Sequence, residues 1–252
     1  MKKPFKSIYH FCCVSFLICL VTSAFHEAAA QHPSEKYKNY GEGYFNDLRY
    51  GFFIPANYES QKRYPLLVYL HGANDTVSRD SKWYQPAIQN KQPMFVLTPK
   101  CTVADQGWGN TWTEGHTEAT AKTLALIDSL IKVYPIDVNR LYIYGISMGG
   151  FGTLSVLQKE PGKFAAAYVV CGGGSEEAVS NLLDIPLWIF HGEEDDIVLM
   201  RYSKQVYDEI VKLGGKNARF TSYPGVKHNS WENVDKEEAL PGWLLSQRKG
   251  SR

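Results

Sequence analysis

Charge of one sign is in short supply in this sequence. Its 27 lysines and arginines are matched by 26 aspartates and glutamates, leaving a formal net charge of +1 over 252 residues. The basic residues are scattered, so neither nucleic acid nor an anionic membrane surface is an expected partner. No repeat and no low-complexity tract interrupts the chain. Cysteine is scarce, with five residues, and Cys12, Cys13 and Cys19 all fall near the N-terminus. The apolar run at residues 11–21 is shorter than the roughly 20 residues that a membrane-spanning helix needs.

That run has its own explanation. Lys2, Lys3 and Lys6 precede it, and Ala28-Ala29-Ala30 follows it as a small-residue cleavage site before Gln31. Residues 1–30 therefore read as a secretory signal peptide. Residues 31–252 are the expected catalytic domain, secreted or periplasmic and without a stable membrane anchor after cleavage. Ile18 is bulky where a lipoprotein site before Cys19 would take a small residue. Cleavage leaves Cys101 and Cys171. An exported pair can bridge, but both follow predicted strands that are not expected to be neighbours. The alternative is two buried free thiols.

What the sequence does contain is an alternation of short apolar runs with helical stretches. Residues 48–55, 64–70, 94–98, 141–144, 164–171, 186–190 and 219–223 read as strands. The stretch at 64–70 is a near-continuous apolar run, as a strand covered on both faces is, and 94–98 reads as another buried strand. Residues 31–43 are polar and read as loose. Between the strands, residues 117–134 form the clearest helix, with Leu124, Ile127, Ile131 and Tyr134 along one face. Helices are also expected at 83–89, 147–159, 176–183 and 199–213, with a partly helical tail at 233–248. This pattern predicts an α/β fold: a mostly parallel sheet with helices on both faces. Functional groups in such sheets gather beyond the carboxyl ends of the strands.

Ser147 falls at one such end. Gly145-Ile146-Ser147-Met148-Gly149 follows the strand at 141–144 and precedes a helix, the context a Gly-x-Ser-x-Gly nucleophile elbow requires. A serine hydroxyl needs a base to take its proton, and the base needs an orienting carboxylate. On this kind of sheet they follow in the order serine, acid, histidine. After the strand at 186–190 comes a loop with Glu193, Glu194, Asp195 and Asp196. After the strand at 219–223 comes His228, the only histidine beyond that loop. His228 is the expected base. Asp195 is the expected acid, a short carboxylate favouring rigid placement, with Asp196 its rival. His71 and His116 precede Ser147, the wrong side for the base, and His191 is expected to brace the acid loop. The backbone N–H groups of Met148 and of Ala73, in the loop after the strand at 64–70, are the expected oxyanion donors.

With these residues in place, the chain resembles the α/β-hydrolase superfamily. More narrowly it is similar to small secreted esterases of the predicted-peptidase, dienelactone-hydrolase-like and phospholipase/carboxylesterase group. Four segments carry the resemblance: Tyr69-Leu70-His71-Gly72, the elbow through Gly150, the His-Gly-x-x-Asp-x-x-Val run from His191 to Val198, and Tyr223-Pro224-Gly225 with His228 and Trp231. The resemblance implies that Asp195, the acid of the His-Gly-x-x-Asp run, is the triad member. It also implies esters as substrates, among them acetyl and feruloyl groups on polysaccharides. Relatives often have a glycine-rich loop after His-Gly, where this chain has Ala73-Asn74-Asp75-Thr76. No insertion is large enough for a separate lid domain.

The expected activity is two-step acyl transfer with no metal and no organic cofactor, on a small-molecule or glycan ester. Trp108, Trp112 and Trp231 lie near the expected site, where flat rings can stack on a sugar or a phenolic acyl group or simply pack the loops. Two alternatives stand beside it: a serine peptidase of the prolyl-oligopeptidase type, which shares the chemistry, and a non-catalytic binding protein that keeps the fold.

Overall fold

The structure is a computed structural model that describes residues 39–56, 58–73, 81–101 and 107–250. Residues 1–30, where the signal peptide is expected, and residues 31–38 lie outside them. Eight strands form one sheet: β1 (Tyr40–Phe45), β2 (Leu48–Phe53), β3 (Tyr64–Leu70), β4 (Phe95–Pro99), β5 (Ile136–Ile146), β6 (Ala166–Val170), β7 (Leu187–Gly192) and β8 (Ala218–Tyr223). Their order is β1-β2-β4-β3-β5-β6-β7-β8. From β4 to β8 every neighbouring pair is parallel, whereas β2 runs antiparallel to β1 and β4. β1 is a correction, because residues 40–45 were expected within or beside a loose segment. Asn46 and Asp47 both have positive φ, which makes the two-residue turn that pairs Phe45 with Leu48.

One face of the sheet carries α2 (Glu118–Val133), α3 (Met148–Lys159) and α4 (Arg201–Lys212). Leu126, Ile127, Leu130, Leu154, Leu157 and Ile210 fill that layer. The other face carries a 3-10 turn (Lys82–Tyr84), α1 (Pro86–Gln89) and, near the C-terminus, α5 (Trp231–Val234) and α6 (Ala239–Ser246). The layer beneath them is aromatic. Tyr69, Tyr144 and Tyr168 stand in register on adjacent strands, with ring centroids 4.7 and 4.4 Å apart. Phe190 continues the row and stacks on Trp188 at 4.9 Å. Much of the tyrosine content of the chain is therefore core, gained through burial and ring packing.

Cys101 and Cys171 are both buried and are not joined by a disulfide. Cys101 follows β4 and Cys171 follows β6, with β3 and β5 between them. Three strand spacings come to about 14 Å, twice the reach of a disulfide. Among the described residues no helix is long and apolar enough to cross a membrane.

Candidate active site

The turn from β5 into α3 places Ser147. Its φ of 53° and ψ of −117° lie in a region that L-residues rarely occupy, held there by the packing around it. Ser147 N–H donates to Val170 O at 2.9 Å. Glycine is required on both sides. A Cβ on Gly145 would sit 2.0 Å from Gly149 O, and one on Gly149 would sit 1.8 Å from Leu70 O. The elbow thus presses against the end of β3 so closely that no side chain fits between. Met148 opens α3, so its N–H has no acceptor within the helix and the positive end of the helix dipole faces the serine.

His228 lies in the turn after β8. Its Nε2 is 3.0 Å from Ser147 Oγ, and its Nδ1 is 2.8 Å from Asp195 Oδ2. A carboxylate only accepts, so the ring proton is assigned to Nδ1, which leaves the Nε2 lone pair facing the hydroxyl. Asp195 is 4 % exposed, and its Oδ1 accepts from the N–H groups of Ile197 at 3.0 Å and Val198 at 2.9 Å. Burial alone pushes this carboxyl up, but the His228 hydrogen bond and the two amides outweigh it and hold the group below its ordinary range. The neighbouring acids do not compete. Asp196 is exposed and pairs with Lys227, and Glu193 accepts from Ser222.

Two further histidines brace this arrangement. His191, fully buried, places Nε2 2.7 Å from Val198 O and Nδ1 2.7 Å from Ser203 Oγ. Sequence order had set His71 aside as a base, and its position explains its presence instead. It is buried, Nε2 accepts from Cys101 N–H at 3.1 Å, and Nδ1 donates to Gly72 O at 2.7 Å. Trp108 Nε1–H donates to His71 O at 3.0 Å. These bonds fix the loop after β3 beside the nucleophile, where a Cβ on Gly72 would be 3.8 Å from Ser147 Cβ. Ala73, the expected second oxyanion donor, is the next residue and is exposed.

The three tryptophans divide. Trp108 corrects the expectation of a stacking surface: it is 1 % exposed, edge-on to His71, with its N–H used internally. No ring face is left for a ligand. Trp112 is 55 % exposed and lies 6.1 Å from Phe151, one helical turn after Ser147. Trp231 stands perpendicular to the His228 ring at 5.7 Å. The structure therefore gathers Ser147, Asp195, His228, Met148 and Trp231 at one end of the sheet, with the loop of Ala73 beside them. His116 pairs with Glu160, away from this chain of contacts.

Comparison with known proteins agrees with the geometry. Residues 45–195 match the family described as "Putative esterase". The chain belongs to that family, within the α/β-hydrolase superfamily. The match includes the elbow and Asp195 and ends before His228. The bifunctional acetylxylan esterase/xylanase XynS20E of Neocallimastix patriciarum is 30 % identical over 149 residues, covering 58 % of this chain and 21 % of that protein. Acyl-protein thioesterase 1 of Debaryomyces hansenii is 26 % identical over 196 residues, covering 66 % of this chain and 84 % of that protein. Among solved structures, a thermostable esterase superposes with a TM-score of 0.77 at 31 % identity, over 84 % of this chain and 64 % of that one. This chain thus spans about a fifth of the two-function relative and under two thirds of the thermostable esterase.

Proposed function

We propose that this protein is a serine carboxylic ester hydrolase that works through an acyl-enzyme on Ser147. The observation that carries this is the unbroken path from Ser147 Oγ through His228 to Asp195, at 3.0 and 2.8 Å, with the serine held in a strained turn. His228 Nε2 takes the hydroxyl proton as Oγ attacks the ester carbonyl carbon. Asp195 holds the ring with Nδ1 protonated and offsets the charge of the imidazolium. The Met148 and Ala73 N–H groups receive the oxyanion; one such donor is worth about 3 kcal/mol in the transition state. The C–O bond to the alcohol breaks, and the alcohol leaves with the proton from His228. Water, activated by the same ring, then releases the acid and restores Ser147.

For the substrate we infer acyl esters carried on polysaccharides, acetyl groups first and feruloyl groups second. The acetylxylan esterase relative and the exposed Trp112 support this, since a flat ring can stack on a sugar. We also infer export through cleavage after residue 30, which N-terminal sequencing of the protein from its host would test.

Hydrolysis of p-nitrophenyl acetate, beside Ser147→Ala, tests the reaction, and acetate release from acetylated xylan tests the substrate. Turnover lost in the variant supports the proposal. No turnover of any ester, with cleavage of a peptide amide, would move the protein to the peptidases. Neither activity would favour a binding protein.

A further inference from the structure

Cys171 takes no part in the reaction above, yet it lies against the residues that do. It follows β6 in a positive-φ conformation and is fully buried. Its sulfur, a carboxylate oxygen of Asp195 and a ring nitrogen of His228 all lie within 4.8 Å of one another. Thiol, carboxylate and imidazole together are a donor set for a borderline-soft divalent cation, zinc above all.

A second observation points to the same place. Ser230 is 0 % exposed, and its Oγ meets hydrogen-bond geometry with no atom among the described residues. Burial pushes the Cys171 thiol up to about 12 and outweighs the downward pull of its interaction with this hydroxyl, so a cation must displace its proton. A buried hydroxyl without hydrogen-bond geometry costs stability, and a metal, or a water on a metal, would satisfy it.

The geometry points to an inhibitory site for a thiophilic divalent cation such as Zn2+, held by Cys171 Sγ, Asp195 and His228 Nδ1, with Ser230 Oγ or a water completing four ligands. Bonds of about 2.0–2.3 Å at tetrahedral angles put zinc ligands about 3.5 Å apart. On binding, the sulfur therefore closes in from within 4.8 Å, while His228 Nδ1 and Asp195 part from their 2.8 Å hydrogen bond. Nothing is oxidised or reduced. The thiol gives its proton to solvent as the S–Zn bond forms. His228 stays neutral: Nδ1 loses its proton to the metal's approach, and Nε2 gains one from solvent. One proton is released in total. With Nε2 protonated, His228 cannot take the proton of Ser147, so the cation inhibits by fixing the wrong tautomer. The effect on turnover rests on the role given to His228 above, but the binding of the metal does not.

Both are measured on the full chain. Zn2+ is titrated into the p-nitrophenyl acetate assay, with each protein scaled to its own metal-free rate. Inhibition should be reversed by EDTA. Loss of a hydrogen-bond partner behind a metal ligand already costs about 10-fold in affinity or more, so Cys171→Ala should raise the inhibitory Zn2+ concentration at least that much. Cys171→Ser, which keeps the size of the side chain, should do the same and covers the case where alanine fails to fold. Co2+ titration of Ser147→Ala supplies a readout free of turnover: a thiolate-to-cobalt absorption band that persists with Cys101→Ala added and vanishes with Cys171→Ser added. Equal inhibition of wild type and both Cys171 variants, or a cobalt band indifferent to Cys171, would overturn the site. A cobalt band that needs Cys171, in a protein without esterase activity, would leave the metal site standing and remove the reaction.

Discussion

His191 Nε2 approaches Asp195 Oδ2 to 3.2 Å, the same oxygen that takes the His228 hydrogen bond at 2.8 Å. Burial pushes the His191 ring below the ordinary histidine range, so it stays neutral near pH 7. A neutral ring leaves the Asp195 charge to His228, whereas an imidazolium would compete for it. His191 also ties Val198 O to Ser203, which fixes the loop whose amides hold Asp195. His191→Ala should therefore lower kcat with little change in KM, because the substrate is not touched. It should also cost about 1–3 kcal/mol of stability through the buried groups left unpaired. Steady-state kinetics beside a denaturant melt separate the two effects, and an unchanged kcat would show that Asp195 needs no such brace.

Asp195 and its neighbour can be told apart by the same assay. Asp195→Asn keeps the shape but presents an amide that can hold His228 in the wrong tautomer, and the loss in kcat should be on the order of 10^4. Asp196 is exposed and pairs with Lys227 at 3.3 Å. Such surface pairs are worth about 0–1 kcal/mol, so Asp196→Asn should leave both rate and melting nearly unchanged.

The elbow makes a prediction about folding. A Cβ on Gly149 meets the Leu70 carbonyl at 1.8 Å, and backbone cannot yield as a side-chain tip can. Gly149→Ala should cost about 4 kcal/mol or more and yield little soluble protein. Gly225 gives the contrast: its φ is +73°, but a Cβ there meets open space. Gly225→Ala should cost only about 1–2 kcal/mol, for the left-handed backbone alone.

What the sequence made legible follows from where the physical signal was local. The elbow and the buried strands each rest on adjacent residues, and the order serine, acid, histidine rests on short motifs after successive strands. The structure sets Ser147, Asp195 and His228 at the carboxyl end of one sheet. β1 escaped notice because Gly41 and Gly43 dilute its strand signal, and its partner is supplied by the turn at Asn46 and Asp47. Trp108 looked like a surface ring because it sits in a glycine-containing loop; only the fold brings its N–H to His71 O. The meeting of Cys171, His228 and Ser230 joins the ends of two strands with β7 between them. No spacing in the chain could announce it.

Alkaline pH should expose the tyrosine core. Burial pushes Tyr50, Tyr134 and Tyr142 up to about 12, while in the unfolded chain they ionise near 10. The native state keeps protons that the unfolded state has lost, so this contribution is complete below about pH 10 and is lost as pH rises towards 12. Lys82 acts in the opposite sense at lower pH. Burial lowers its ammonium to about 8, so the native state sheds a proton that the unfolded chain holds until about 10.4. Stability should hold or rise from pH 8 to about 10 and then fall steeply. Denaturant midpoints measured at intervals from pH 7 to 11.5 would trace this, with tyrosinate absorbance following the unfolding. Lys82→Met should abolish the rise and leave the fall in place, and a fall that begins well below pH 10 would mean the buried tyrosines do not set the limit.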